Sequence, residues 1–246
     1  MEQTGGIMKL MNKTVLITGA TDGLGYKLAI EFVKQKANVI VHGRDQGKVD
    51  EVVKELEGVN AKGEYTGVVC DLNDLSSIRE VFEKVDELDI LINNAGVWLE
   101  GDTIEAEYDK IIEQVNVNLG APILVTRTLL PALGKAKFGQ ILNVSSIAGV
   151  EIPFDYFHTY YSATKFGLQA FTEALAKEFD NKPLRVMGYY PGGMDTKLFT
   201  KAGLDYKKGE PWMFDPQESV EAITFMLTRD PKLNVKRMDL INHLQK

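Results

Sequence analysis

Apolar residues fall in short, almost unbroken runs along this chain. "TVLIT" (14–18), "NVIVH" (38–42), "YTGVVC" (65–70), "LDILIN" (88–93), "GQILNVS" (139–145) and "LRVMGYY" (184–190) each have the length of a strand buried on both faces. Between them, apolar positions recur at helical spacing over 24–35, about 46–57, 75–85, about 104–134 and about 159–180. Pro122 marks a kink inside the longest of these. Strands alternating with helices predict an α/β domain: one doubly wound parallel sheet with helices on both faces. No proline-, glycine- or serine-rich boundary divides the chain, so residues 12–246 are expected to form a single domain. Residues 1–11 read as a flexible N-terminal tail, and Met8 offers a start of its own.

Composition narrows the functional classes. The 246 residues carry 28 Lys and Arg against 35 Asp and Glu, a net charge of −7. Without a basic face, general nucleic-acid binding is not expected. No apolar run approaches the roughly 20 residues of a membrane span, so no membrane partner is expected either. One cysteine, Cys70, permits no internal disulfide, reads as a small core residue, and fits a reducing cytoplasm. His42, His158 and His243 show no metal-ligand spacing, and no metal site is expected.

The first strand runs into "TGATDGLG" (18–25), which places Gly19, Gly23 and Gly25 where a strand turns into a helix. At the carboxyl edge of a doubly wound sheet, such a turn is where ligands bind. The following helix aims free N–H groups at the same spot, and glycines let a pyrophosphate approach without meeting Cβ atoms. The spacing is Gly-x-x-x-Gly-x-Gly. Together with "CDL" (70–72), "NNAG" (93–96), "NVSS" (143–146), "YSATK" (161–165) and "PGGMDT" (191–196), it resembles the short-chain dehydrogenase/reductase family from about residue 13 to 196.

That resemblance implies a Rossmann-type fold and a nicotinamide cofactor held by Thr18, Gly19, Thr21, Asp22, Gly23, Leu24 and Gly25. It implies Asp71 beside the adenine with Leu72 packed near it. Asn93, Ala95 and Gly96 would line the cofactor, while Asn94 would stabilise the central sheet. Pro191 and Gly192 would lie near the nicotinamide, and Thr196 would bond its carboxamide. The second strand ends "VIVHGRD", with Gly43 and Arg44 where a carboxylate selecting NAD(H) would stand. A guanidinium pairs well with a 2′-phosphate, so NADP(H) is expected over NAD(H). Asp45 either caps the next helix or turns toward the ribose.

Tyr161 and Lys165 are four apart and share a helix face; Tyr160 has Thr164 at the same offset. A free tyrosine titrates near 10, and a lysine cation beside it is expected to lower that value. Bringing it to neutrality takes roughly 4 kcal/mol of differential stabilisation. By resemblance Tyr161 exchanges the proton, Ser146 orients a carbonyl oxygen, and Lys165 tunes Tyr161. Asn118, favoured over Asn116, holds a helix distortion and a water. The implied reaction interconverts a small-molecule carbonyl and a secondary alcohol. A non-catalytic nucleotide-binding sensor is the rival reading.

Substrate choice is expected in 97–102, 150–160 and a loop near 194–214. Trp98, Phe154, Phe157, Tyr160, Phe199 and Trp212 in these segments line a pocket, fill core or meet a second subunit. His158 is a substrate contact or a surface residue. The resemblance implies a homodimer or homotetramer. The carboxyl end lacks a closing glycine pair, which favours a dimer through the helices near 104–134 and 159–180.

Overall fold

The computed structural model describes residues 8–152 and 158–244. Seven parallel strands form one sheet in the order β3-β2-β1-β4-β5-β6-β7. They are β1 (Thr14–Ile17), β2 (Asn38–Gly43), β3 (Tyr65–Val69), β4 (Ile90–Asn93), β5 (Gly139–Val144), β6 (Leu184–Pro191) and β7 (Arg237–Leu240). The helices are α1 (Gly23–Lys34), α2 (Gln46–Val59), α3 (Ile78–Phe82), α4 (Tyr108–Val115), α5 (Ala121–Leu133), α6 (Thr159–Glu178), α7 (Leu198–Lys201) and α8 (Pro216–Leu227).

Strand alternation explains why the apolar runs are unbroken. Val15, Ile17, Ile90, Ile92, Leu142 and Val144 pack on one face with Leu28 and Phe32 of α1, Val49 of α2 and Ile223 of α8. Leu16, Leu91, Ile141 and Val186 face the opposite way, against Phe82 of α3, Val125 and Leu129 of α5 and Leu175 of α6. Chain direction across the sheet reverses between β1 and β4, and this opens a crevice at the carboxyl ends of those strands.

Four features differ from the sequence-based expectation. Residues 8–11 are not a loose tail, although residues 1–7 lie outside the described ones. Leu10 is buried in the core, and Met8 N–H donates to the Thr228 carbonyl at 2.7 Å. The apolar side chain closes a gap beside α1 and α8 that would otherwise admit water. The 104–134 helix is broken: α4 gives way to one π turn at Asn116–Gly120 before α5. Ala121 N–H donates to Asn116 O, five residues back, and Pro122 has no N–H to give the Asn118 carbonyl. The helix expected over 75–85 contracts to Ile78–Phe82. Finally, α8 and β7 follow β6 where the apolar runs had marked no element, and β7 extends the sheet at its edge.

The 194–214 excursion is pinned at its base. Phe214 N–H donates to Gly193 O at 3.1 Å and Asp195 N–H to Phe214 O at 3.0 Å. Beyond β7, Asn242 Nδ2 donates to the Pro211 and Met213 carbonyls at 3.0 and 2.9 Å, so the C-terminal segment braces the same loop. No helix among the described residues is long and apolar enough to cross a membrane.

Replacing Leu10 with alanine is expected to lower unfolding free energy by about 2–5 kcal/mol, the range for truncating a buried leucine. A denaturant titration showing no shift in midpoint would mean that this segment is not packed in solution.

Candidate active site

A cleft of about 1170 Å³ opens at the crevice and takes its floor from the turn after β1. Gly19 and Gly23 hold φ of +65° and +57°, a region side chains disfavour. A Cβ on Gly19 would lie 3.0 Å from Ala95 Cα, and one on Gly23 would lie 3.8 Å from Thr196. Asp22 caps α1, its carboxylate accepting from Gly23 N–H at 2.8 Å. The same carboxylate meets Lys201 at 3.1 Å and Lys197 at 3.8 Å, across the cleft mouth. Burial acts to raise the Asp22 pKa, but hydrogen bonds from Lys201 and Gly23 and both lysine charges hold it below the ordinary value.

Thr18 and Gly25 belong to the turn without facing the cleft. The buried Thr18 hydroxyl accepts from Asn94 N–H at 2.9 Å and Ala95 N–H at 3.0 Å, joining β1 to the loop after β4. Gly25 leaves no room for a Cβ against the Gly19 carbonyl and Asn94 Nδ2. Contrary to expectation Asn93 does not line the cleft, whereas Asn94 both ties the ends of β1 and β4 together, as expected, and borders the cleft. Asn93 shares the sheet face of Leu91, so its Nδ2 goes under α5, to Asn143 Oδ1 at 2.8 Å and Thr126 at 3.0 Å. Asn94 borders the cleft, and its Nδ2 donates to the Thr18 and Gly19 carbonyls at 2.9 and 3.3 Å.

His42, which the sequence had not marked, holds the turn from the other side. Gly19 N–H donates to His42 Nδ1 at 3.1 Å, and Nε2 lies 3.1 Å from the Cys70 carbonyl. A neutral ring protonated on Nε2 serves both bonds. Cys70 is buried, which raises its thiol pKa.

At the end of β2, Gly43 backs onto Thr21: a Cβ there would come 2.6 Å from Thr21 Cγ2. Arg44 and Lys48 border this corner, with the Arg44 side chain 72% exposed. Asp45 takes the capping alternative, accepting from Lys48 N–H at 2.9 Å as the N-cap of α2. Asp71, Leu72, Ala95, Gly96, Leu24, Pro191, Gly192 and Thr196 also border the cleft.

Deeper in, Tyr161 and Lys165 project from the first two turns of α6 toward Ser146, just past β5. The Tyr161 hydroxyl is close enough to Ser146 for that side chain to lower its pKa, and Ser146 Oγ accepts from Ala148 N–H at 3.2 Å. Lys165 Nζ donates to the Val144 carbonyl at 3.2 Å and sits 5.5 Å from the Tyr161 ring centroid. Gly149 packs against the Lys165 backbone, where a Cβ would come within 2.6 Å. Asn118 sits in the π turn and clamps Val97, accepting from its N–H at 2.8 Å and donating to its carbonyl at 2.9 Å. A Cβ on Gly96 would lie 3.4 Å from Asn118 Oδ1 and 3.7 Å from Lys165 Nζ, so these two groups flank one glycine. Asn116 turns away, to Asn73. Tyr160 bonds the Thr103 carbonyl.

A family model described as short chain dehydrogenase matches residues 13–207. The chain belongs to the short-chain dehydrogenase family. It is 36% identical to an "NADP-dependent 3-hydroxy acid dehydrogenase" of Schizosaccharomyces pombe, over 90% of this chain and 89% of that one. It is 33% identical to a 3-oxoacyl-(acyl-carrier-protein) reductase of Thermotoga maritima, over 79% of each. Its fold matches an alcohol dehydrogenase structure from Thermococcus sibiricus with a TM-score of 0.85 at 22% identity, covering 95% of this chain and 98% of that one.

Burial sets the electrostatics of this short-chain dehydrogenase site. Desolvation pushes the Tyr161 pKa up to about 12, against a smaller lowering by the Ser146 hydrogen bond. Burial of the phenol outweighs the lowering expected from Lys165, and burial lowers the pKa of Lys165 itself to about 8. Phe154 and Phe157 of the expected pocket lie outside the described residues. His158 is buried, not a surface residue, and its ring stacks 5.0 Å from Trp98.

His42 generates a pH test. Burial lowers its pKa from 6.5 to about 4, opposed by the Cys70 hydrogen bond and the Asp71 charge. Between those values the unfolded chain binds the proton and the folded chain does not. Stability is therefore lost as pH falls from 6.5 to 4, by about 3 kcal/mol. Urea titrations across this window should show that component in the wild type and its absence in His42→Gln. Equal slopes in both proteins would remove His42 from the account.

Proposed function

We propose that this chain is an NADP(H)-dependent oxidoreductase interconverting a carbonyl and a secondary alcohol. The observation that carries the reading is one cleft joining two sets of groups. One set is Ser146 and Tyr161 with buried Lys165 beside them; the other is the Thr21, Gly43, Arg44 and Lys48 corner. The cradle fits a dinucleotide: two glycines with positive φ open the turn, and the α1 N-terminus faces it. Arg44 and Lys48 suit a 2′-phosphate, and the carboxylate of Asp45 that would oppose one is spent on capping α2. The relative named as NADP-dependent supports the same choice over NAD(H).

NADPH, when bound, supplies the hydride. Tyr161, whose pKa burial raises, is the general acid toward the alkoxide oxygen; acting as base in the oxidative direction requires the charges of Lys165 and of the oxidised nicotinamide to bring that value down. Ser146 Oγ receives the Ala148 N–H, which leaves its own proton to orient a substrate oxygen. Lys165 keeps donors beyond its Val144 bond for the cofactor ribose. Asn118 keeps the π turn against Val97 beside Lys165, the side from which protons are resupplied. A reducing cytoplasm suits the lone buried Cys70.

The chain also carries an unpartnered apolar stripe of the kind a homodimer covers. Ile104, Tyr108, Ile112 and Val115 recur at helical spacing at and before α4, and Ile104 and Tyr108 are 90% and 84% exposed. Phe166 is exposed on α6, which packs beside α4. Pairing of α4 and α6 with their copies would cover this surface. Light scattering should give a dimer mass for the wild type and a monomer mass for Tyr108→Glu combined with Ile112→Glu. A monomeric wild type would refute the pairing.

The catalytic assignment is tested by titrating the protein with NADPH and NADH by cofactor fluorescence, then assaying carbonyl reduction. Tyr161→Phe should lower kcat by about 10²–10⁴-fold and keep NADPH affinity. Arg44→Ala should weaken NADPH by about tenfold or more and leave NADH unchanged. Full turnover by Tyr161→Phe would exclude the proposed acid, and a wild-type preference for NADH would exclude the phosphate corner.

A further inference from the structure

Beyond Tyr161, the cleft wall is aromatic and carries one fixed negative charge. Trp98 lies 4.3 Å from the Tyr161 ring and 5.1 Å from Phe199, which meets Tyr206 at 5.2 Å and Trp212 at 5.5 Å, edge to face. Trp212 occupies the space where a Cβ on Gly193 would project, which keeps its ring on the wall. Glu100 belongs to this wall. Its Oε2 accepts from Trp98 Nε1 at 3.1 Å, and the Tyr206 hydroxyl approaches Oε1 and Oε2 at 3.3 and 3.5 Å.

Both donors to Glu100 are neutral, so they fix the carboxylate without cancelling its charge. Among the described residues no lysine or arginine forms an ion pair with it. Four of the cleft's cations have acidic partners, Lys197 and Lys201 at Asp22 and Lys110 and Arg44 at Glu113; of the other two, Lys48 lies at the Gly43 corner and Lys165 donates to the Val144 carbonyl behind Tyr161.

We propose that this pocket selects carbonyl substrates bearing an ammonium or quaternary ammonium group a short carbon chain from the reacting carbon, and disfavours carboxylates there. A cation meets the faces and edges of an electron-rich wall together with Glu100, and the partial exclusion of water strengthens both attractions. A substrate carboxylate meets an uncompensated like charge. The preference thus runs opposite to the acid named for the Schizosaccharomyces pombe relative. It rests on the carbonyl-reductase reading for its reaction, while its recognition half is separable by binding.

The test uses three ketones of matched length: 4-oxopentyltrimethylammonium, its neutral isostere 6,6-dimethylheptan-2-one, and 5-oxohexanoate. Calorimetry on the full chain saturated with NADP⁺ measures binding without turnover, and kcat/KM with NADPH follows for each ketone. The cation is expected to bind about tenfold more tightly than its isostere, with the anion weakest. In Glu100→Gln the cation-to-neutral ratio should fall toward one and the anion should gain relative to both. Equal binding of cation and isostere, tighter binding of the anion, or an unchanged ratio in Glu100→Gln would each overturn the proposal. Charge-selective binding without reduction of any ketone would uphold the recognition and overturn the oxidoreductase reading instead.

Discussion

The working geometry depends on how two strand ends are tied together. Parallel strands β1 and β4 finish side by side, and the loops leaving them carry backbone N–H groups that the sheet cannot satisfy. The Thr18 hydroxyl accepts two of these, from Asn94 and Ala95, while Asn94 returns a side-chain amide to the Thr18 and Gly19 carbonyls. His42 takes Gly19 N–H from the β2 side. Three neighbouring strands thereby fix one glycine turn from two directions. A turn with positive φ at two positions would otherwise be the most mobile part of the cleft. Here its few backbone donors and open space are held still before any ligand arrives, which lowers the entropic cost of binding.

Asn118 applies the same logic deeper in the cleft. A regular helix from α4 into α5 would continue the ladder past Asn118, and Pro122 cannot supply the next N–H. The chain resolves this with one wide turn, and the buried side-chain amide of Asn118 in that turn grips both polar backbone atoms of Val97. The distortion is therefore coupled to the loop after β4, the same loop that Thr18 holds. Ser146, Tyr161 and Lys165 attach through β5 and α6, and Asn93 bonds Asn143 of β5 beneath them. The reacting groups and the dinucleotide cradle share one buried polar framework.

The alternating runs made the sheet and most helices legible, and the spacing of the glycines and of Tyr161 with Lys165 made the cleft legible. Features that depend on which way a side chain points were not. Asn93 and Asn94 are adjacent and identical, and only the parity of β4, with Leu91 facing α5, assigns one to the core and the other to the cleft. His42 looked like one more strand residue, because its two partners are backbone groups from residues 23 and 28 positions away. Leu10 looked like part of a tail, since the apolar stretch from Ile7 to Met11 is too short to show a periodicity that would reveal its burial. The Tyr161 pKa was misread because charge proximity is visible in a four-residue spacing, whereas desolvation is a property of the surrounding fold.

Charge is divided along the cleft. At the dinucleotide end, Lys197 and Lys201 from the excursion that contains α7 close onto Asp22, the cap of α1. These pairs are solvent-exposed and contribute little to stability, about 0–1 kcal/mol each. Their effect is on position: they bring the aromatic residues of the same excursion, Phe199, Tyr206 and Trp212, over the substrate end. There Glu100 is fixed by an indole and a phenol that donate hydrogen bonds and no charge. Lys197 and Lys201 are thus drawn to Asp22 at one end of the cleft, while Glu100 stands without a cationic ion-pair partner among the described residues at the other. Asn242, two residues beyond β7, completes this arrangement by holding Pro211 and Met213 at the far side of the loop. The carboxyl-terminal segment thus braces the excursion through the Asn242 side chain, and its Leu244 borders the cleft.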